Sequence, residues 1–174
     1  MAPLATVTAT PGSRDRLELL YRAARDDVYA YVATMLGDRS SAEDVTALAF
    51  ERAFRRWRLF NARRGSERAW LFGIARNAAL DELRRRRRSA ALARDAADER
   101  SSVHDDVEQI LQRAVLRSAL LSLTPREREL IALKFHGGLS NVDIARVLRV
   151  SESNAGTQLH RAIQKLRRTC DGLA

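Results

Sequence analysis

The sequence predicts an all-α protein: two small helical domains joined by a flexible linker, the C-terminal one a helix-turn-helix. Three observations carry this. Apolar residues recur at helical spacing from about Arg14 to the C-terminus, with almost no strand-like alternation. Only three prolines occur, Pro3, Pro11 and Pro125, and none falls where it would break a helix interior. Between residues 89 and 106 the composition shifts to SAALARDAADERSSVHDD, in which Leu92 and Val103 are the only large apolar residues. A stretch that offers so little to a core reads as a spacer.

The elements follow in order. Residues 1–13, MAPLATVTATPGS, are mostly small, hold no charged side chain and read as a disordered tail. The first helix is expected from about Arg14 to Leu36, stopped by Gly37. The second is expected after Ser40-Ser41 and runs to about Arg58, with Trp57 in its last turn. The third follows Gly65-Ser66, with Ser66 as its N-cap, and carries ERAWLFGIARNAALDELRRRRR up to Arg88. Three helices with short connections make residues 14–88 a compact bundle. The second domain, 107–174, opens with a helix to about Leu121. Thr124-Pro125-Arg126-Glu127 then combines an N-cap threonine, a proline at the first helical position and a glutamate three residues after the cap. That helix ends at Gly137-Gly138. Ser140 starts a short helix, NVDIARVLRV, and Ser151 starts the last, ESNAGTQLHRAIQKLRR.

Charge narrows the function. The 174 residues carry 31 bases against 22 acids, a net charge of +9 with a pI near 11.0. Residues 14–88 hold 18 bases against 11 acids, the spacer 2 against 5, and residues 107–174 hold 11 against 6. Both domains are therefore basic and the spacer is not, which points to a polyanionic partner, most often nucleic acid. Arginine codon bias explains the scarcity of lysine but not the surplus. Cys170 is the only cysteine, so no internal disulfide or cysteine-based zinc site is available, and His104, His136 and His160 lack ligand spacing. No apolar run approaches the roughly 20 residues needed to span a bilayer, and no secretory signal opens the chain. A cytoplasmic protein with no cofactor, no membrane insertion and no small-molecule substrate is expected. No glycine-rich phosphate loop or nucleophile-base set supports an enzyme. Asp26-Asp27 and Asp105-Asp106 fit surface or N-terminal helix positions better than catalysis.

Two short helices across a tight turn, the second ending basic, form the helix-turn-helix pattern. Ile144, Ala145 and Leu148 supply the inner face of the first. Ala155, Leu159, Ile163 and Leu166 supply that of the second, and Val150 sits in the turn. The outer face then shows Asn154, Thr157, Gln158, Arg161 and Lys165. Asparagine and glutamine bond adenine in the major groove, and arginine bonds guanine or phosphate. A helical hairpin with a solvated charged face fits the same pattern. Gly156, costly in a helix interior, either admits DNA backbone or is simply tolerated near the helix start. On the third helix, Phe72, Ala75, Ala79 and Leu83 form an apolar stripe, and Trp70, Asn77, Asp81, Arg84 and Arg88 fall opposite. An aromatic beside a basic run suits stacking on exposed bases. A core tryptophan followed by a solvated helix end fits equally.

Two stretches carry a resemblance. AEDVTALAFERAFRRW (residues 42–57) with AWLFGIARNAALDELRRRRR (69–88) resembles region two of the extracytoplasmic-function (ECF) sigma factors of bacterial RNA polymerase. LLSLTPRERELIALKFHGGLSNVDIARVLRVSESNAGTQLHRAIQKLR (120–167) resembles their region four, and order, spacing and linker agree from about Leu17 onward. The resemblance implies a promoter-specificity subunit. Region two would dock on the clamp of core RNA polymerase through Asp44, Phe50, Arg52 and Phe54. It would then help melt the −10 element and capture flipped non-template bases through Asn61, Arg63, Arg64, Arg68, Trp70, Asn77 and Asp81. Arg84, Arg85 and Arg88 would meet phosphates where duplex becomes bubble. Region four would touch the polymerase flap and read the −35 element through Ser153, Asn154, Gly156, Thr157, Gln158, His160, Arg161 and Lys165. An anti-sigma factor is implied as a further partner.

The chain departs from the family at two places. Ala47 and Leu48 stand where a Gln-Glu pair is common, and Asn154-Ala155-Gly156-Thr157-Gln158 replaces a stretch that often holds two bases. Weaker phosphate anchoring and an altered −35 preference are expected. The chain leaves no room for a region-three domain within its 18-residue linker, and ends soon after region four. The competing reading is a stand-alone helix-turn-helix regulator, which would grip its DNA site without polymerase.

Overall fold

The computed structural model describes residues 13–92 and 118–171. The tail, most of the spacer and the first part of the helix expected from Val107 lie outside these residues. Among the described residues every regular element is a helix.

Helix α1, Ser13–Leu36, buries Leu17, Leu20, Ala24, Val28, Tyr31, Val32 and Leu36, the three-and-four spacing of one helical face. It ends at Gly37, whose φ of +68° lets its amide turn back onto the Ala33 carbonyl at 2.9 Å. Helix α2, Arg39–Arg56, starts earlier than Ser40-Ser41 suggested. Asp38 takes the cap, accepting from the Ser41 amide at 3.1 Å, and the Ser41 side chain first, then that amide, holds its carboxyl below the usual range. Its inner face is small, with Ala42, Val45, Ala49 and Ala53, so α1 and α3 approach closely. Two 3-10 turns, Trp57–Leu59 and Ala62–Arg64, follow in place of the expected last helical turn.

Helix α3, Glu67–Leu92, is the axis of the molecule. Ser66 caps it as expected, accepting from the Ala69 amide at 3.1 Å. The helix runs to Leu92, four residues past Arg88. Its buried arc is wider than the predicted stripe. Leu71, Ile74 and Ala78 are buried along with Phe72, Ala75 and Ala79, because α3 is covered by α1, α2 and a helix of the second module.

The second module opens with a helical turn at 118–121. Helix α4, Pro125–Phe135, carries the predicted capping box. The Thr124 hydroxyl accepts from the Glu127 amide at 3.2 Å, and the Glu127 carboxylate accepts from the Thr124 amide at 2.7 Å. Gly137 is required where it stands, since a Cβ there would lie 2.4 Å from the Leu133 carbonyl. Helix α5, Asn141–Leu148, is capped by Ser140, and helix α6 spans Glu152–Asp171. The turn between them passes through Arg149 at φ 55°, a left-handed conformation that non-glycine residues seldom adopt. Ile144, Ala145 and Leu148 meet Ala155 and Leu159 as predicted. Ala162 is fully buried, whereas the expected Ile163 and Leu166 are only half-buried.

The sequence suggested two modules free to move. In the structure α4 packs on α1 and α5 packs on α3, and a single apolar cluster runs through both modules.

Candidate nucleic-acid and partner interface

The residues expected to read −35 DNA lie along α6. Ser153, Asn154, Thr157, His160 and Arg161 are exposed on one side of it. Gln158 donates to the Asn154 side-chain oxygen at 2.6 Å, which pre-orients two amides that could each address a base edge. Lys165 is drawn off this face. It pairs at 3.0 Å with Glu127, whose carboxyl is held low first by the Thr124 amide and then by that lysine. Gly156 is half-buried, and a Cβ there would touch the Asn141 amide at 3.5 Å, so it faces the first helix of the motif.

The residues expected to handle the −10 element gather around the α2–α3 connection. Trp70 is half-buried, its ring edge-on to Trp57 at 5.7 Å and tilted against Phe60 at 5.6 Å. It therefore belongs both to a small aromatic cluster and to the surface. Asn61, Arg64, Trp70 and Asn77 line a cavity of about 400 Å³, closed on its other side by Arg146, Val147 and Arg149 of the second module. Asn61 accepts from the Arg63 amide at 2.9 Å and so shapes the loop, while Arg63 itself is exposed. Arg68 is turned inward. Its guanidinium donates to the Gly137 carbonyl at 2.5 Å and the His136 carbonyl at 3.1 Å, pairs with Asp27 at 2.5 Å, and lies over the Phe72 ring at 5.4 Å.

The arginine run splits by helical position. Arg84 pairs with Asp81 at 3.1 Å, and Asp81 is also bound by Arg52 at 3.2 Å. Arg85 makes a two-point contact with Glu82, at 2.7 and 2.8 Å, which lowers that carboxyl and raises the guanidinium. Arg86 faces inward to Glu82, the Leu36 carbonyl and Asp38, tying α3 to the end of α1 and the start of α2. Arg84, Arg85 and Arg88 are exposed, the first two within these ion pairs.

The four residues expected on the clamp-binding helix do not share one face. Phe54 is 60% exposed, whereas Phe50 is 9% exposed and packs edge-on against Tyr21 at 4.8 Å. Together with Leu17, Glu18 and Tyr21 they line an apolar groove between α1 and α2. Asp44 is exposed elsewhere on α2, and Arg52 is directed to Asp81 on α3.

Sequence reasoning missed one constellation. Glu129 of α4 is 7% exposed, yet carries a carboxylate. Arg76 of α3 donates to it at 2.6 Å, Arg126 at 3.0 Å, and the Tyr31 hydroxyl of α1 at 3.4 Å. Tyr31 is fully buried; burial, then the Glu129 charge, pushes its phenol well above its ordinary range. A polar residue at a buried helical position was the only signal available. Among the described residues no group of histidine, cysteine and carboxylates could hold a metal, and no helix is long and apolar enough to cross a membrane.

The sigma-70 region 2 family matches residues 20–89, and the sigma-70 region 4 family matches residues 111–166. The chain is 34% identical over 164 residues to the ECF RNA polymerase sigma factor BldN of Streptomyces coelicolor. That match covers 92% of this chain but 62% of BldN, so the chain spans about three fifths of that relative. It is 31% identical over 160 residues to the ECF RNA polymerase sigma factor SigL of Mycobacterium tuberculosis, covering 88% of this chain and 90% of SigL. Among solved structures, the fold superposes on sigma factor RpoE from Bartonella quintana, crystallised with the anti-sigma factor NepR. The TM-score is 0.77 at 21% identity, covering 90% of this chain and 97% of RpoE. CnrH, solved with the cytosolic domain of CnrY, gives a TM-score of 0.66 at 25% identity, covering 92% and 90%.

Proposed function

Because the chain belongs to the extracytoplasmic-function sigma factors of the sigma-70 family, we propose that it acts as an alternative sigma factor that brings core RNA polymerase to particular promoters. One observation carries this: region two and region four occur in order on one chain, and both present basic, partly exposed faces. The groove lined by Phe50 and Phe54 takes the polymerase clamp. The loop from Asn61 to Arg68, with Trp70 and Asn77, receives −10 bases, and Arg84, Arg85 and Arg88 hold the phosphates beside them. Flipping a base costs a few kcal/mol, which stacking on an aromatic side chain, about 1–3 kcal/mol per base, offsets. Helix α6 enters the major groove of the −35 element, with Asn154 and Gln158 meeting base edges. The protein is a specificity subunit and not an enzyme in itself, works in the cytoplasm, and is held in check by an anti-sigma factor.

The test is reconstitution of the purified chain with sigma-free core RNA polymerase, followed by transcription from a promoter library. Initiation that needs both components, at sites sharing two spaced elements, supports the proposal. Failure to bind core, with tight binding to a DNA site by the chain alone, transfers the reading to a stand-alone regulator.

A further inference from the structure

Residues 52–66, RAFRRWRLFNARRGS, hold six arginines and no acid. Arg56, Arg58, Arg63 and Arg64 are exposed, and none of the four has an ion-pair partner among the described residues. In their midst stands Leu59, 76% exposed, the most exposed large apolar side chain among the described residues. A single exposed leucine is ordinary on a protein surface. This one is held in place. Trp57 and Phe60, on either side of the Arg58-Leu59 pair, stack at 5.6 Å with their planes 22° apart, and Trp70 braces them at 5.7 and 5.6 Å. The Phe60 amide donates to the Trp57 carbonyl at 3.0 Å and closes the turn. The Arg64 amide donates to the Asn61 carbonyl at 2.9 Å and fixes the next one. Leu59 thus projects from a rigid base. It also borders the cavity lined by Asn61, Trp70 and Asn77.

We propose that Leu59 is a wedge that enters promoter duplex between adjacent base pairs and unstacks them, so that a freed base passes into the adjoining pocket of Trp70 and Asn77. This rests on the promoter-binding reading above and gives the step before base capture a residue of its own. The chemistry fits duplex nucleic acid. Proteins that kink DNA insert an apolar side chain between base steps, partly unstacking them, while basic side chains hold the strands. Leucine offers the base faces an apolar surface and asks for no hydrogen bond in return. The arginines around it have no acidic partner to give up before they meet phosphate. A protein partner fits less well. Leucine is under-represented among binding hot spots, and a patch of arginines without one acid needs an acidic surface to match it. Pyrimidine–purine steps such as TA unstack most easily, so one of them is the expected point of entry.

The experiment compares the full-length natural protein with Leu59→Ala and Leu59→Met. Each is joined to sigma-free core RNA polymerase on a library promoter, supplied either as closed duplex or pre-opened as a mismatched bubble. Circular dichroism confirms equal helix content, which the exposure of Leu59 predicts. Leu59→Ala is expected to slow open-complex formation on the closed duplex about tenfold and on the bubble less than about twofold, with core affinity unchanged. The contrast is the mark of a wedge, since a bubble has already lost the stacking that a wedge must break. Leu59→Met, which keeps an apolar tip, is expected to restore most of the duplex rate. Equal loss on duplex and bubble overturns the wedge and makes Leu59 a contact to the opened strand. Weakened core binding overturns it in favour of a polymerase contact, and an unchanged duplex rate overturns it outright. The chain alone, titrated at low salt into an A/T-rich duplex holding 2-aminopurine at a TA step, separates this claim from the sigma reading. A rise in 2-aminopurine fluorescence that Leu59→Ala abolishes, without core-dependent transcription, sinks the sigma reading and leaves the wedge standing. Core-dependent transcription indifferent to Leu59 sinks the wedge alone, and neither transcription nor a fluorescence rise sinks both.

Discussion

Replacing Phe54 with alanine separates docking from folding. Phe54 is 60% exposed at the rim of the α1–α2 groove, and Phe50, four residues earlier, is 9% exposed at its floor. Fully burying a phenylalanine contributes about 1.5–3 kcal/mol. The exposed fraction of Phe54 therefore leaves about 1–2 kcal/mol for a partner to collect. At about 1.4 kcal/mol per tenfold, Phe54→Ala is expected to weaken binding to core RNA polymerase by about 5–30-fold. Its own stability should fall by less than about 1 kcal/mol, because little of the ring is packed. Phe50→Ala should behave oppositely, losing about 3–5 kcal/mol of stability through the cavity left against Tyr21. Affinity is read by titrating labelled protein with core enzyme, and stability by urea unfolding followed by circular dichroism. If Phe54→Ala bound core within twofold of the natural protein, the groove would not be the clamp-docking face.

Three further outcomes are expected. Substituting Arg84, Arg85 and Arg88 with alanine should impair open-complex formation, read by permanganate reactivity of the bubble, more than core binding; each lost phosphate contact should also flatten the salt dependence, by about 0.7 in slope on single strands. Gln158→Ala should relax base preference at one −35 position by about 1–3 kcal/mol in a promoter-variant panel, and a uniform loss across sequences would place Gln158 on phosphate instead. The Glu127 carboxyl is lowered in the folded state, so its contribution to stability is present above its unfolded pKa and lost as pH falls through the folded value. Glu127→Gln should therefore flatten the acid limb of the stability–pH curve, and Thr124→Ala should cost about 1 kcal/mol in urea unfolding through loss of the cap.

Much of this molecule is local, and local features are legible in a sequence. Gly37, Ser66, Ser140, Ser151 and the Thr124–Glu127 capping box end or begin helices where their chemistry says they should, because capping involves only neighbouring backbone groups. The first helix of the motif and the small residues that let it meet α6 followed from helical spacing in the same way. What required the folded chain were the choices among equivalent positions. Periodicity put Trp70 opposite the apolar stripe, and only the fold showed it leaning on Trp57 and Phe60 while still facing a cavity. Arg68 and Lys165 looked like DNA contacts by position and type. In the folded chain, carbonyls and a carboxylate brought in from distant segments hold them. Arg76 and Glu129 are 53 residues apart, and no local pattern pairs them. The sequence alone determined that the chain is helical, where most of its caps stand and the order of the two modules, since each depends on short-range hydrogen bonding and spacing, whereas the ends of α2 and α3 shifted by a few residues. The tertiary structure alone decided which arginines turn inward to partners on distant segments and which stay on the surface, and that the modules close on one another, because charge pairing and burial depend on distances that only the folded chain sets.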